Sequence, residues 1–167
     1  MKHRGFSLVE VIVYAAIAVV LLGAVVAGVV SLTNTMSVIR ADYALSRAAS
    51  LSFETISREA RNAISIDNAN STFGSSPGRL TLNTKDSGGS NITVEFYVSN
   101  GVLQYRNGAG APSPLHGSST AVTQFIVRSV PTNNSTALRF DLAFQVQKGT
   151  SLVTESFFAS YLIRGSY

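Results

Sequence analysis

One uninterrupted apolar run constrains this chain more than any other feature. After Glu10 no charged residue occurs until Arg40, and residues 11–32 read VIVYAAIAVVLLGAVVAGVVSL. At about 1.5 Å rise per residue, a helix of that length crosses a hydrocarbon core of roughly 30 Å. A helix that is apolar on every side needs either lipid or an enclosing fold, and the remainder of a 167-residue chain is too small to enclose it. The run therefore predicts a membrane helix. It also accounts for a composition that is 46% hydrophobic and only 13% charged, which averages an apolar stalk with a polar, Ser/Asn/Gly-rich remainder.

The flanks predict an orientation. Lys2, His3 and Arg4 precede the span, whereas the nearest charges beyond it, Arg40, Asp42 and Arg47, lie farther away and include an acid. The excess of basic residues on the N-terminal side places that end in the cytoplasm and everything after about residue 33 outside. A secretory signal peptide fits poorly, because the small residues that would form its cleavage site, within 24–31, are not preceded by a longer basic region. The plain alternative is an uncleaved signal anchor.

Two details stand against that alternative. Gly5 separates the basic leader from the apolar run, and Glu10 sits inside the start of that run. An ionised side chain costs about 2.5–3.5 kcal/mol at the centre of a membrane helix and less near the interface. Cleavage after Gly5 would create an amino group on Phe6, which the Glu10 carboxylate of an adjacent copy or related subunit could meet. Solvation of Glu10 among the cytoplasmic headgroups is the other reading of its position, and the residues alone leave both open.

The segment KHRGFSLVEV, residues 2–11, resembles the class III leader and first mature residues of the type IV pilin and pseudopilin family. The match lies in the short basic leader, the Gly at the cleavage site, the Phe that follows it and the Glu as fifth mature residue. The resemblance implies that prepilin peptidase cuts after Gly5 and methylates Phe6, that Glu10 is the assembly glutamate, and that the mature chain runs from 6 to 167. It also implies partners: the peptidase, other pilins or pseudopilins, an assembly platform protein and its ATPase, with membrane lipid as the surroundings before assembly. The expected location is first the cytoplasmic membrane, as a single-pass protein, and then a filament at the cell surface. The helix-kinking proline that many major pilins carry within the span is missing, the first proline being Pro77, and there is no cysteine for the C-terminal pair common in major pilins. Gly23 and Gly28 are spaced Gly-x4-Gly, which is not the GxxxG dimer motif. Both departures favour a minor pilin or pseudopilin.

Beyond the span the helix is expected to continue to about residue 64. Leu45, Ala49, Ser52/Phe53, Ile56, Ala60 and Ala63/Ile64 recur every three or four residues as one stripe, with Arg40, Arg47, Glu54, Arg58 and Arg61 mostly off it. Glu54 and Arg58 have the favourable i, i+4 order. Many Ala and Ser positions and the absence of a heptad argue against a coiled coil. Residues 67–78 are dense in turn formers, and after them the period changes to two. Strands are expected at 79–84, 92–98 and 102–106, the last two joined as a hairpin through Ser99-Asn100-Gly101. A second loop, 107–119, leads to strands at 122–130, 138–147 and 153–163. Leu138, Phe140, Leu142, Phe144 and Val146 alternate with Arg139, Asp141, Ala143, Gln145 and Gln147, the pattern of a sheet with one wet face. The predicted class is α+β, with one long N-terminal helix, its first half membrane-spanning, packed on an antiparallel β-sheet head. Its organisation is a leader 1–5, a transmembrane or filament-core helix 6–32, an amphipathic continuation 33–64 and a β-rich head 65–167. This order is similar to that of the J-type minor pseudopilins of type II secretion and their minor-pilin relatives.

The head offers no chemistry that points to an enzyme, and no catalytic, cofactor or metal site is predicted. His116, in a Gly/Pro/Ser loop without acidic neighbours, reads as a solvated loop residue. Asp86-Ser87-Gly88-Gly89 and Asp67-Asn68 lack calcium-loop spacing and read as turns. Tyr97, Tyr105, Phe157, Phe158 and Tyr161 read as core or sheet-face packing. Asn70, Asn91, Asn133 and Asn134 satisfy N-x-S/T, a pattern that a Ser/Thr/Asn-rich chain produces often. The net charge of +4 carries no basic cluster, which argues against nucleic acid as a partner, and the leader alone contributes Lys2 and Arg4. Two further readings remain: a filament-tip module recognising a secreted substrate, a surface or DNA through the loops at 67–78 and 107–119, and the signal-anchored protein already described.

Overall fold

The computed structural model describes residues 7–131, 136–148 and 151–163. The chain divides into two units, Met1–Arg40 and Ala41–Tyr167. Helix α1, Leu8–Asn62, contributes to both. In the first unit it is the only element among the described residues, and every residue from 7 to 37 is exposed. Gly23 and Gly28 lie in open space within it.

The second unit holds the rest of α1 and eight strands. β1 is Ser65–Ile66, β2 Arg79–Lys85, β3 Asn91–Ser99, β4 Val102–Asn107, β5 Ser113–Pro114, β6 Thr120–Pro131, β7 Thr136–Lys148 and β8 Ser151–Ile163. They form two antiparallel sheets, one of five strands in the order β1 to β5 and one of three in the order β6 to β8. The strand pattern predicts a single sheet and neither β1 nor β5, whose two-residue lengths carry no alternation to detect.

No glycine or proline ends α1, and it stops at Asn62 rather than near 64 for a tertiary reason. Ile64 N donates to Asn83 O at 2.8 Å, Ser65 and Ile66 pair with Asn83 and Leu82, and Thr84 Oγ1 caps the Asn62 carbonyl at 3.2 Å. The edge of β2 catches the chain and satisfies groups the helix would otherwise leave open. The β3–β4 hairpin turns through Asn100 at φ 52° and Gly101 at φ 73°. Two positive φ values in a two-residue loop are the type I′ turn that Asn-Gly favours. Gly101 O in turn accepts from Val122 N at 2.7 Å, the first of several bonds along the free edge of β6. Gly74 N to Val127 O and Gly78 N to Phe125 O, at 2.9 and 2.7 Å, tie the 67–78 loop to the same edge. A Cβ at Gly78 would stand 3.0 Å from that Phe125 carbonyl, so any larger residue would have to push the β6 edge back by a few tenths of an ångström.

The core is one cluster shared by the helix and both sheets. Ala41, Leu45, Ala48, Ala49 and Ile56 meet Leu80, Leu82, Val94, Phe96 and Leu103 of the first sheet and Phe125, Val127, Leu138, Phe140, Leu142 and Phe144 of the second. The stripe predicted on the helix is therefore the buried one, and β7 alternates as expected. The exception is Ala143, buried at a position predicted to be wet, beside the bulge at Val122/Gln124 where Thr123 Oγ1 donates to the Ala143 carbonyl. Each sheet also sends one tyrosine to the helix. Tyr105 of β4 donates to Glu59 Oε1 at 3.4 Å, and Tyr161 of β8 donates to the Phe53 carbonyl at 3.3 Å. Arg58 pairs with the adjacent Glu59 at 3.3 Å rather than with Glu54, leaving the anticipated i, i+4 pair unformed.

Candidate assembly and processing site

The start of α1 gathers the polar groups of an otherwise apolar segment. Ser7 lies just before the first helical residue, and its carbonyl accepts from Glu10 N and Val11 N at 3.0 and 3.2 Å. Glu10 thus occupies the first helical turn. The unpaired amides there carry partial positive charge, which favours an acid by about 0.3–1 kcal/mol. That is smaller than the roughly 2.5–3.5 kcal/mol an ionised residue costs at the centre of a membrane helix, a cost that falls toward the interface. Tyr14, one turn further on, donates its hydroxyl to Glu10 Oε1 at 3.4 Å, a long hydrogen bond between two exposed side chains. Tyr14 belongs to none of the motifs predicted from sequence, and its i, i+4 spacing from Glu10 is the only local signal of this contact.

From Leu8 onward the helix exposes Val11, Ile12, Val13, Ile17, Val20, Leu21, Leu22 and their neighbours to the surroundings. None of its most apolar window is buried, which separates it from the core helix of a soluble protein. At the far end of the apolar run the hydroxyls satisfy themselves: Thr33 Oγ1 donates to Val29 O at 2.8 Å and Thr35 Oγ1 to Ser31 O at 3.0 Å. Side chains that bond back to their own helix need no partner at a membrane boundary.

Gly5 and Phe6, the expected cleavage pair and methylation site, lie outside the described residues. Residues 1–26 match the family model of the prokaryotic N-terminal methylation motif. This motif is the class III prepilin type, consistent with a type IV pilin or pseudopilin leader. The chain is thereby supported as a pilin-like or pseudopilin-like precursor, and the long apolar helix over antiparallel sheets is the matching α+β architecture. A prepilin leader implies processing by prepilin peptidase, assembly with other pilins and a membrane-anchored, pilus-associated protein. Comparison with curated proteins and with solved structures gives no match.

The pilin-like head corrects one reading of its residues. His116 is buried rather than solvated. Its Nε2 accepts from Leu103 N at 3.1 Å, and its Nδ1 lies 3.0 Å from Thr120 Oγ1 and 3.1 Å from the Gly117 carbonyl. Because a backbone N–H can only donate, Nε2 is the unprotonated nitrogen and the ring is neutral with its proton on Nδ1. The ring also stands edge-on to Phe144 at 5.3 Å. Burial lowers its pKa from the usual 6.5, opposed by the Gly117 carbonyl. The histidine thus pins the 107–119 loop to β4, together with Leu115 N to Leu103 O at 2.9 Å and the β4–β5 pairing.

The acidic turns are turns. Asp86 Oδ1 accepts from Gly88 N and Ser90 N at 2.9 and 2.8 Å, and Asp67 Oδ1 accepts from Ala69 N and Asn70 N at 3.1 and 3.2 Å. The Asn70 side chain, bonded to Asp67 Oδ2 at 2.7 Å, is the main cause of a lowered Asp67 pKa. Among the described residues no group of three or more His, Asp or Glu side chains is placed to hold a metal. Of the strand aromatics, Phe158 departs from the packing expectation: it is exposed, with the Arg139 guanidinium 5.9 Å from its ring centroid. Asn133 and Asn134 lie outside the described residues.

Proposed function

We propose that the chain is a non-enzymatic structural subunit, a minor pilin or pseudopilin of a type IV pilus or type II secretion-like filament. It inserts with its N-terminus in the cytoplasm and its head outside, is cut after Gly5 and methylated on Phe6, and is drawn into the filament by a platform protein and ATPase. The Glu10 carboxylate pairs with the Phe6 amine of a neighbouring subunit and sets the register. The apolar helix then exchanges lipid for the similar surfaces of its neighbours, so extraction does not expose it to water. The missing cysteine pair and the missing proline in the span support the minor or pseudopilin assignment.

The observation that carries this reading is the carboxylate itself: Glu10, fifth residue after Gly5, stands exposed at the head of a helix whose residues 7–37 are all exposed. Glu10→Ala tests it. The variant is expected to insert and to lose its leader as the wild type does, and to fail to enter filaments. Normal incorporation would falsify the electrostatic register. Mass spectrometry of the mature protein is expected to give methylated Phe6 as first residue, and an intact Met1 would return the chain to the signal-anchor class.

A further inference from the structure

We propose that Tyr14 is a positioning residue for Glu10: its hydroxyl holds one carboxylate oxygen and leaves the other free for the incoming amine of a neighbour. The inference rests on the pairing of Glu10 with a neighbour's terminus given under Proposed function, and it adds a residue to that site.

Three observations carry it. Tyr14 Oη donates to Glu10 Oε1, one of the two carboxylate oxygens, at 3.4 Å. Between Val11 and Val30 the tyrosine has the only side chain with a hydrogen-bonding group, so an apolar run otherwise free of polarity places its single hydroxyl one turn from its only acid. Both side chains are exposed, within a stretch of exposed residues from 7 to 37.

The geometry has a chemical reason. Side chains on an α-helix lean toward its N-terminus, so a long side chain at i+4 reaches back over residue i. A tyrosine four residues after the glutamate therefore meets it, whereas one four residues before would lean away. An ionised carboxylate offers about four acceptor sites on two oxygens, and hydrocarbon supplies no water to fill them. Tyr14 satisfies Oε1 within the same helix and travels with Glu10 from lipid into the filament. It also restricts the rotation of the carboxylate, which leaves Oε2 as the accessible face. An ammonium arriving at Oε2 completes the site without displacing the hydroxyl.

The test uses the full chain expressed with its own assembly machinery, in wild-type, Tyr14→Phe, Glu10→Ala and Glu10→Gln forms. Tyr14→Phe keeps the ring and deletes only the oxygen. Its leader processing and membrane level are expected to match the wild type, while its recovery in sheared filaments falls about fivefold, the equilibrium factor of one net hydrogen bond. The carboxylate stretching band of Glu10, isolated by infrared difference against Glu10→Gln, is expected to shift in Tyr14→Phe, which loss of packing alone would not cause. Wild-type recovery of Tyr14→Phe, or a fall in recovery without a shifted band, overturns the positioning role. If Glu10→Ala is defective while Tyr14→Phe is normal, only this inference fails. If Glu10→Ala assembles normally, the underlying pairing fails with it.

Discussion

Between Leu8 and Ser37, α1 turns large apolar side chains outward, with Val20 71% exposed; between Ala41 and Ala60 it turns small ones inward, around a Leu45 that is 0% exposed. The residue types differ as much as their placement: Glu10 is the only charged residue of the first stretch, whereas the second carries Asp42, Arg47, Glu54, Arg58 and Glu59. The first stretch is apolar on every face and therefore has no inside, so its partner must come from lipid or from other chains. The second confines its apolar residues to one stripe and fills most of that stripe with Ala41, Ala48, Ala49, Ser52 and Ala60. Small side chains let the helix backbone lie close over the sheets, so that Leu45 and Ile56 reach the aromatic core. The same helix thus exposes an apolar surface in one stretch and builds the core of the head in the next.

The comparison predicts opposite responses to the same kind of truncation. Ile56→Ala removes a fully buried side chain from a core shared with both sheets, and its expected cost is about 2–5 kcal/mol of head stability. Leu22→Ala removes an exposed one and is expected to leave head unfolding unchanged. Denaturant unfolding of the detergent-solubilised full chain, followed by tyrosine fluorescence, measures both. Equal destabilisation by the two variants would break the distinction.

The same contrast governs what is legible in the sequence. The apolar span needs only length and the absence of charge, and the leader needs only residue identities at fixed spacing, so both can be recognised from local sequence with no knowledge of tertiary contacts. In the head, period tells helix from strand because the stripe at 45–63 and the alternation at 138–146 each bury one face. Period says nothing about which strands share a sheet. The division into two sheets is set by loops, through Gly101, Gly74 and Gly78 bonding the edge of β6, and those contacts span intervals that local pattern does not encode. His116 is misread for the same reason. A histidine among Gly, Pro and Ser has the composition of a solvated loop, and only the approach of Leu103, thirteen residues earlier, gives it a backbone donor to accept from.

His116 sharpens the comparison from the head's side, because it makes that unit sensitive to pH in a range where the described part of the apolar stretch has no imidazole. Protonation would put a hydrogen on Nε2, facing the N–H of Leu103, and the groove beside the ring is lined by Tyr43 and Arg47 with no carboxylate to compensate. Burial lowers the folded-state pKa, so the unfolded chain takes up the proton first. Stability from this group is therefore complete above the usual value near 6.5, declines as pH falls through it, and levels off once pH drops below the folded-state value. Unfolding measured between neutral and mildly acidic pH is expected to show this slope in the wild type and to lose it in His116→Gln. A slope that survives in the variant assigns the sensitivity elsewhere. Protection of the Leu103 amide from exchange is expected to weaken over the same interval.

The smallest expected effect concerns a single oxygen. Ser52 is fully buried on the alanine-rich stripe, and its Oγ finds no hydrogen-bond partner. An unsatisfied buried hydroxyl carries its desolvation cost without return, and alanine is also the better helix former. Ser52→Ala is therefore expected to stabilise the head by about 1 kcal/mol, a rise of roughly 4 °C in its melting temperature. Ser37→Ala is the matched change in the outward-facing stretch, where the hydroxyl is exposed and donates to the Asn34 carbonyl at 2.7 Å. It is expected to leave the head's melting temperature in place. If Ser52→Ala instead lowers it, the hydroxyl is satisfied in solution, by bound water or by its own helix, and the stripe contains a polar contact that its alanine neighbours conceal.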